Sequence, residues 1–400
     1  MQKFLCLSFL VFLAVPRLFA EDWTQWRGPN RDGKIESKIH FTKSTQFKTE
    51  WTAEVGIGFS SMVVADVFLV TLGHADEQDK VTCLNALTGE KIWEQSYVAA
   101  LDPNLFEGGP TSTPAISEGK VYTISRKGLI HCFALKTGDI VWQYNIVKEL
   151  KLNVPTWGFA GSPLIVGEQV IFNAGSHGLC LNSQSGELVW SSTNDVDAGY
   201  SSPLLVKTKQ TPHVVFLNAK AVNAVDPSNG ELIWSERWIT RYGINAADPL
   251  VLNDHQLLVS SGYGKGTGLI EFDKDKSELV WRNRDVRIQM SPGVLVNDAI
   301  YAIDGDADEE PSLVCFDPQT GTPFWREEKF GAGTLLVVNS QILVLKETGE
   351  LVVIESNQEK FEVVVAAKVS NGKCWTPPVM VGNHLYKRNA LGKITCSSVH

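Results

Sequence analysis

Seven tryptophans, Trp51, Trp93, Trp142, Trp190, Trp234, Trp281 and Trp325, follow one another at steps of 42, 49, 48, 44, 47 and 44 residues. A period of this length, sustained along a 400-residue chain, excludes a string of unrelated domains and calls for stacked or radial repeats. The repeat has a local phrase, as in Leu87-Thr88-Gly89-Glu90-Lys91-Ile92-Trp93 and Leu135-Lys136-Thr137-Gly138-Asp139-Ile140-Val141-Trp142. Gly186, Gly230 and Gly321 keep the spacing before Trp190, Trp234 and Trp325, and Ser277 stands in the phrase before Trp281. A polar turn with a glycine at positive φ, then a short strand ending in a large aromatic, reads as a hairpin.

A second landmark precedes each phrase: Thr113-Pro114, Ser162-Pro163, Ser202-Pro203, Asp248-Pro249, Ser291-Pro292 and Thr376-Pro377 open short apolar runs. From such a proline to the next ladder tryptophan is 27 to 33 residues, room for four strands of about five residues. Four antiparallel strands repeated at this period make an all-β fold, a β-propeller. Inner strands begin near Ser61, Thr113, Ser162, Ser202, Asp248, Ser291, Thr334 and Thr376, which predicts eight blades. Only four residues follow Cys396, so the last blade lacks an outer strand, while Phe47 to Trp51 is an outer strand with no inner strands before it. The ring is therefore expected to close by pairing the N-terminal strand into the last blade. Residues 47–400 form the propeller in this reading, behind an arm at 21–46.

Residues 1–20 read as a signal peptide, with Lys3, an apolar run from Phe4 to Val15, and a small residue at Ala20. Export to the periplasm or beyond follows, and the apolar run is too short to span a bilayer. Without Lys3 and Arg17, 34 basic residues face 45 acidic ones, a net charge of about −11 that argues against nucleic acid as partner. Cys83, Cys132, Cys180, Cys315 and Cys396 fall at the same place in the third strand of five blades. That spacing suits buried free thiols better than disulfides.

The phrases Thr-Gly-Glu-Lys-Ile-Trp and Ser-Gly-Glu-Leu-Val-Trp, with Ser-Pro inner-strand starts, resemble the pyrroloquinoline-quinone-type propeller repeat over residues 47 to 400. That family includes quinoprotein alcohol and glucose dehydrogenases and the propeller lipoprotein of the barrel-assembly machinery. The run from Asp22 through Trp23, Trp26, Arg27, Gly28 and Pro29 to Gly33 is similar to the leader of many exported propellers of this class. By itself it reads as a packing arm anchored by Trp23 and Trp26. Resemblance to the dehydrogenases implies an axial quinone between a tryptophan and a disulfide of adjacent cysteines, with Ca²⁺ on carboxylate and amide oxygens. No two cysteines are adjacent in this chain.

Loops leading into the inner strands and loops joining second to third strands share one face. The first set supplies Phe59, Glu107, Trp157, Tyr200, Arg241, Tyr242, Asn245, Arg287, Gln289 and Trp375; the second supplies Arg126, Lys127, His177, Lys220, Lys265, Lys346 and Arg388. A basic ring of this kind attracts anions, and tryptophan offers planar stacking, so Trp157, Tyr200, Arg241, Tyr242, Asn245, Arg287, Trp375, Arg126, His177, Lys220 and Arg388 are the candidate ligand-binding residues. Asp304, Asp306 and Asp308 alternate like the start of a calcium loop, but Glu309 and Cys315 stand where an EF-hand needs Gly and Glu, so a solvated acidic loop is the simpler reading. Asp248 is the one candidate base, and a turn cap otherwise. The chain has no Gly-x-Ser-x-Gly elbow, no His-Glu-x-x-His pair and no Cys-x-x-Cys. The expectation is an exported module binding an envelope protein or an anionic small molecule at the axial funnel. The alternatives are a PQQ-dependent oxidoreductase and a propeller binding polysaccharide or sulfated ligands.

Overall fold

The computed structural model describes residues 22–104, 106–209, 211–306 and 309–400, so the leader assigned to residues 1–20 lies outside the described residues. Eight antiparallel four-stranded sheets stand around an axis, in chain order from Val63. Blade one runs through Val63–Ala65, Phe68–Ala75, Gln78–Asn85 and Lys91–Val98, from axis to rim. Blade eight consists of Val379–Val381, His384–Arg388 and Lys393–Val399, with Phe47–Glu54 as its rim strand, antiparallel to Lys393–Val399. The ring is closed by the N-terminal strand, as the strand count predicts.

The tryptophan ladder has one physical cause. Trp51, Trp93, Trp142, Trp190 and Trp325 sit directly across the sheet from Cys396, Cys83, Cys132, Cys180 and Cys315, while Trp234 faces Ala224 and Trp281 faces Leu269. Cys or Ala at six of these seven places leaves the indole room to lean toward the following blade. The ring atoms of Trp51, Trp93, Trp142, Trp190 and Trp281 lie 2.5 to 2.7 Å from where a Cβ on Gly89, Gly138, Gly186, Gly230 or Gly321 would stand. Each glycine thus serves its own turn and the tryptophan of the preceding blade. Indole N–H groups tie the same seams: Trp93 donates to Leu135 O at 2.7 Å, Trp142 to Ser183 O at 3.0 Å and Trp190 to Pro227 O at 2.8 Å. Apolar clusters span neighbouring blades, as where Val70, Val81 and Trp93 meet Val121 and Phe133.

In every blade the rim strand carries a bulge immediately before this position, where the register skips one residue. A bulge adds twist and interrupts the free edge, which protects an exposed rim from edge-to-edge pairing. Blade seven has Val365 opposite Val353 at the equivalent place, which is why seven tryptophans serve eight blades. The six cysteines of the described chain are free and buried. Burial pushes the thiols of Cys83, Cys132, Cys180 and Cys396 up to about 12. Among the described residues no helix is long and apolar enough to cross a membrane.

Candidate functional site

An inner strand has one edge with no neighbour in its own sheet, so the wall of the axis presents unpaired backbone groups that something must satisfy. Residues 22–35 satisfy part of them. They rise from the face where the inner strands end, turn, and descend beside blade seven. Trp23 exchanges two 2.8 Å backbone bonds with Val64, and Ile116 N donates to Thr24 O at 2.7 Å, reaching blades one and two. Arg31 donates to Pro163 O at 2.9 Å and Arg27 to Gly293 O at 2.7 Å, reaching blades three and six. Trp26 Nε1 donates to Asp248 Oδ2 at 2.6 Å, and Ser202 N donates to Asp248 Oδ1 at 2.6 Å, reaching blades five and four. Lys34–Ile35 then pairs in parallel with Val337 and Val338 of blade seven. The void left beside Trp26, Leu335 and Val379 is about 10 Å³, at the lower limit for a single water. A larger opening of about 310 Å³ lies between Thr24, Gln25 and blades two and three.

The turn of this hairpin is made by left-handed backbone at Arg27, Gly28 and Arg31. Both arginines are buried, and burial lowers the Arg31 guanidinium to about 10 and Arg27 in the same direction, with Asp248 opposing the shift in both. Burial likewise raises the Asp248 carboxyl, against the pull of Arg27, the Ser202 N–H, Arg31 and the Trp26 N–H. Asp248 therefore anchors the axial hairpin and carries the Ser202 turn; both oxygens are engaged.

The upper face, where the lead-in loops lie, carries an aromatic arc. Trp375 and Phe59 have ring centroids 5.4 Å apart, Phe59 and Phe106 5.6 Å, and Phe106 and Trp157 5.8 Å, so half-buried rings run from blade eight to blade three. Tyr200 extends it, its hydroxyl accepting from Trp157 N at 3.5 Å. Lys373 lies 4.5 Å over Trp375 and pairs with Glu107 at 2.8 Å. Arg126 lies 5.5 Å over Phe106 and donates to the carbonyls of Leu101, Asp102 and Trp157. Farther round, Arg241 sits 5.2 Å over Tyr242, which meets Tyr263 edge-on at 5.1 Å.

Several residues expected on this face are occupied elsewhere. Arg388 ends the second strand of blade eight and turns into the seam with blade one, fully buried, donating to Ser60 O, Thr71 Oγ1, Leu72 O and Gly56 O; burial lowers it to about 9. It lines no funnel, because alternation within a strand directs the side chain into the interface. Asn245 is fully buried, donating to Asn218 O and Trp238 O and accepting from Ser261. Arg287 pairs with Asp306 and Glu309, and Asp304 is buried against Arg326 and the Arg287 N–H. The acidic run is held by arginines, and Asp308 lies outside the described residues. Lys220 is exposed, and burial lowers half-buried His177.

Among the described residues, the axial carboxylate, amide and cysteines that the resemblance would assign to a quinone and Ca²⁺ are engaged elsewhere. The axial carboxylate Asp248 is engaged, the Asn245 amide is spent on its neighbours, and the cysteines of the third strands stand opposite tryptophans of the rim strands. Among the described residues no three His, Cys, Asp or Glu side chains group to hold a metal. The hairpin was legible only as an arm; the pairing of Trp26 with Asp248 spans 222 residues and has no local pattern.

A protein-family profile described as "Outer membrane protein assembly factor BamB" matches residues 77–327. A protein of that name from Yersinia pestis is 21% identical over 346 residues, covering 81% of this chain and 70% of its own. Among solved structures, BamB from Moraxella catarrhalis superposes with TM-score 0.63 at 17% identity, covering 88% of this chain and 98% of its own. Quinohemoprotein alcohol dehydrogenase from Comamonas testosteroni superposes with TM-score 0.66 at 14% identity, covering 96% and 81%. Likeness at such identities shows the fold alone.

Proposed function

Since the chain belongs to the PQQ-type propeller family described as outer membrane protein assembly factor BamB, we propose that it is a docking and scaffolding module of the cell envelope. Its partner binds across the upper face, on the aromatic arc from Trp375 through Phe59 and Phe106 to Trp157. The observation that carries this reading is the filled axis. Residues 22–35 occupy the axis, where the resemblance to the dehydrogenases implies a quinone, which leaves recognition to the loops above. Half-buried Phe and Trp side chains beside Lys373, Glu107 and Arg126 are the composition of an interface core with a polar rim. Export, expected from residues 1–20, would deliver the protein to the periplasm or beyond, and the family description supports an envelope location.

The test uses the mature full chain carrying a photo-crosslinking residue at Phe106 or at rim residue Phe324. Capture of one defined envelope protein from Phe106 and none from Phe324 supports the reading. Retention of added PQQ with reduction of a redox dye by an alcohol or sugar would replace it with the dehydrogenase alternative.

A further inference from the structure

Several arginines of this chain are spoken for: Arg27, Arg31, Arg126 and Arg388 donate to carbonyls, and Arg287 and Arg326 pair with the acidic loop of blade six. One group departs from this. Arg237, Arg282 and Arg284 are exposed at the upper rim of blades four and five, and Lys265 stands among them. Arg241 lies on the adjoining lead-in loop. Among the described residues none of the five pairs with a carboxylate. Lys265 is held down by partial burial and then by the like charges of Arg282, Arg237 and Arg284, with Glu236 the one opposing charge.

Concentrating unpaired cations costs electrostatic energy, in a chain whose formal net charge is −9. The same patch exposes aromatic and sulfur-bearing side chains. Tyr242 is 60% exposed and meets Tyr263 edge-on, and Met290, on the lead-in loop of blade six, is 50% exposed, while Lys265 lies 4.3 Å over the fully buried ring of Trp238. Arginine, tyrosine, tryptophan and methionine are the residues enriched at protein–protein interfaces, and guanidinium forks match carboxylates bidentately.

We propose that this patch on blades four to six docks an acidic segment of a protein partner, with carboxylates on Arg237, Arg241, Arg282 and Arg284 and an apolar side chain against Tyr242 and Met290. The inference rests on the docking function proposed above and assigns the charge of the partner. Complementary charge speeds encounter and sets orientation, while the aromatic arc on blades eight to three supplies apolar contact.

The probe is a synthetic peptide rich in Glu and Asp with interspersed Phe, titrated into the mature full chain and followed by anisotropy. Binding weakens with added salt, and the triple variant Arg237→Glu, Arg241→Glu, Arg284→Glu weakens it at least about tenfold. Lys38→Glu, Lys43→Glu, Lys48→Glu makes the same charge change at exposed positions in and after the N-terminal arm and leaves binding within about twofold. Absence of peptide binding, equal loss in both triples, or tighter binding of dextran sulfate than of the peptide overturns the proposal. In cells, crosslinking from Phe106 that persists undiminished in the Arg237, Arg241, Arg284 triple contradicts the acidic dock while leaving the scaffold reading standing; no capture from Phe106 in the unaltered chain fails that reading itself.

Discussion

Trp26 donates its indole N–H to the Asp248 carboxylate at 2.6 Å, joining the axial hairpin to the wall of the ring across 222 residues. One oxygen of that carboxylate holds the hairpin and the other holds the Ser202 turn. Trp26→Phe keeps the ring and removes the donor, so it should cost about 2 kcal/mol. Asp248→Ala also removes the nearest counter-charge of two buried guanidinium groups and should cost more, roughly 3 kcal/mol or above. Urea unfolding midpoints of the two variants check the order.

The glycine of the repeat phrase carries two constraints that a matched pair of substitutions separates. Gly119 has φ +71 with open space beyond it, and Gly186 has φ +75 with Trp142 at 2.6 Å from the added carbon. Gly119→Ala should cost about 1 kcal/mol from backbone strain alone. Gly186→Ala should cost a further 1–3 kcal/mol or so, because the indole must shift. Equal midpoints for the two would show that the blade-to-blade contact contributes nothing.

This pairing is also why the fold was legible. Seven of the eight blades carry the ladder Trp at one place, five of these tryptophans meet the glycine of the next blade's phrase, and Phe47 to Trp51 reads as a strand in search of a sheet. The site was not legible in the same way. Arg388 lies at a strand end, where one step of alternation decides between solvent and interface, and Arg126, in the turn between Lys120–Ile124 and Leu129–Ala134, spends its guanidinium on carbonyls. Arg287 is neutralised by Asp306 and Glu309, which requires knowing how the loop folds back. Trp157 and Trp375, read as lead-in-loop residues suited to planar stacking, lie on one face with Phe59 and Phe106.

His131 is buried between the rings of Tyr97 and Phe133, at 5.0 and 5.1 Å, and burial pushes it down to about 4. The unfolded chain then binds a proton that the folded chain refuses between about pH 6.5 and 4. Its contribution to stability is fully present above 6.5 and is lost as pH falls through 4. His131→Phe should remove that dependence, so its stability relative to the unaltered protein improves by roughly 3 kcal/mol from pH 7 to pH 4. A flat difference curve would refute the assignment.

The six buried thiols should be silent toward a disulfide-exchange reagent in the native mature protein and all titrate in guanidinium. A reducing agent should leave the melting temperature unchanged. Fewer than six thiols on unfolding would mean that a disulfide forms in the protein.

Hydrogen exchange on the mature full chain, read segment by segment, tests the filled axis most directly. The amides of Trp23, Gly28, Arg31 and Gly33, which donate to the carbonyls of Val64, Gln25, Gly28 and Arg27, should exchange only with global unfolding, as slowly as the strand Phe68–Ala75. Exchange of these amides within seconds, while that strand stays protected, would contradict the account, since the axis would then be open and the case for recognition on the upper face would lose its premise.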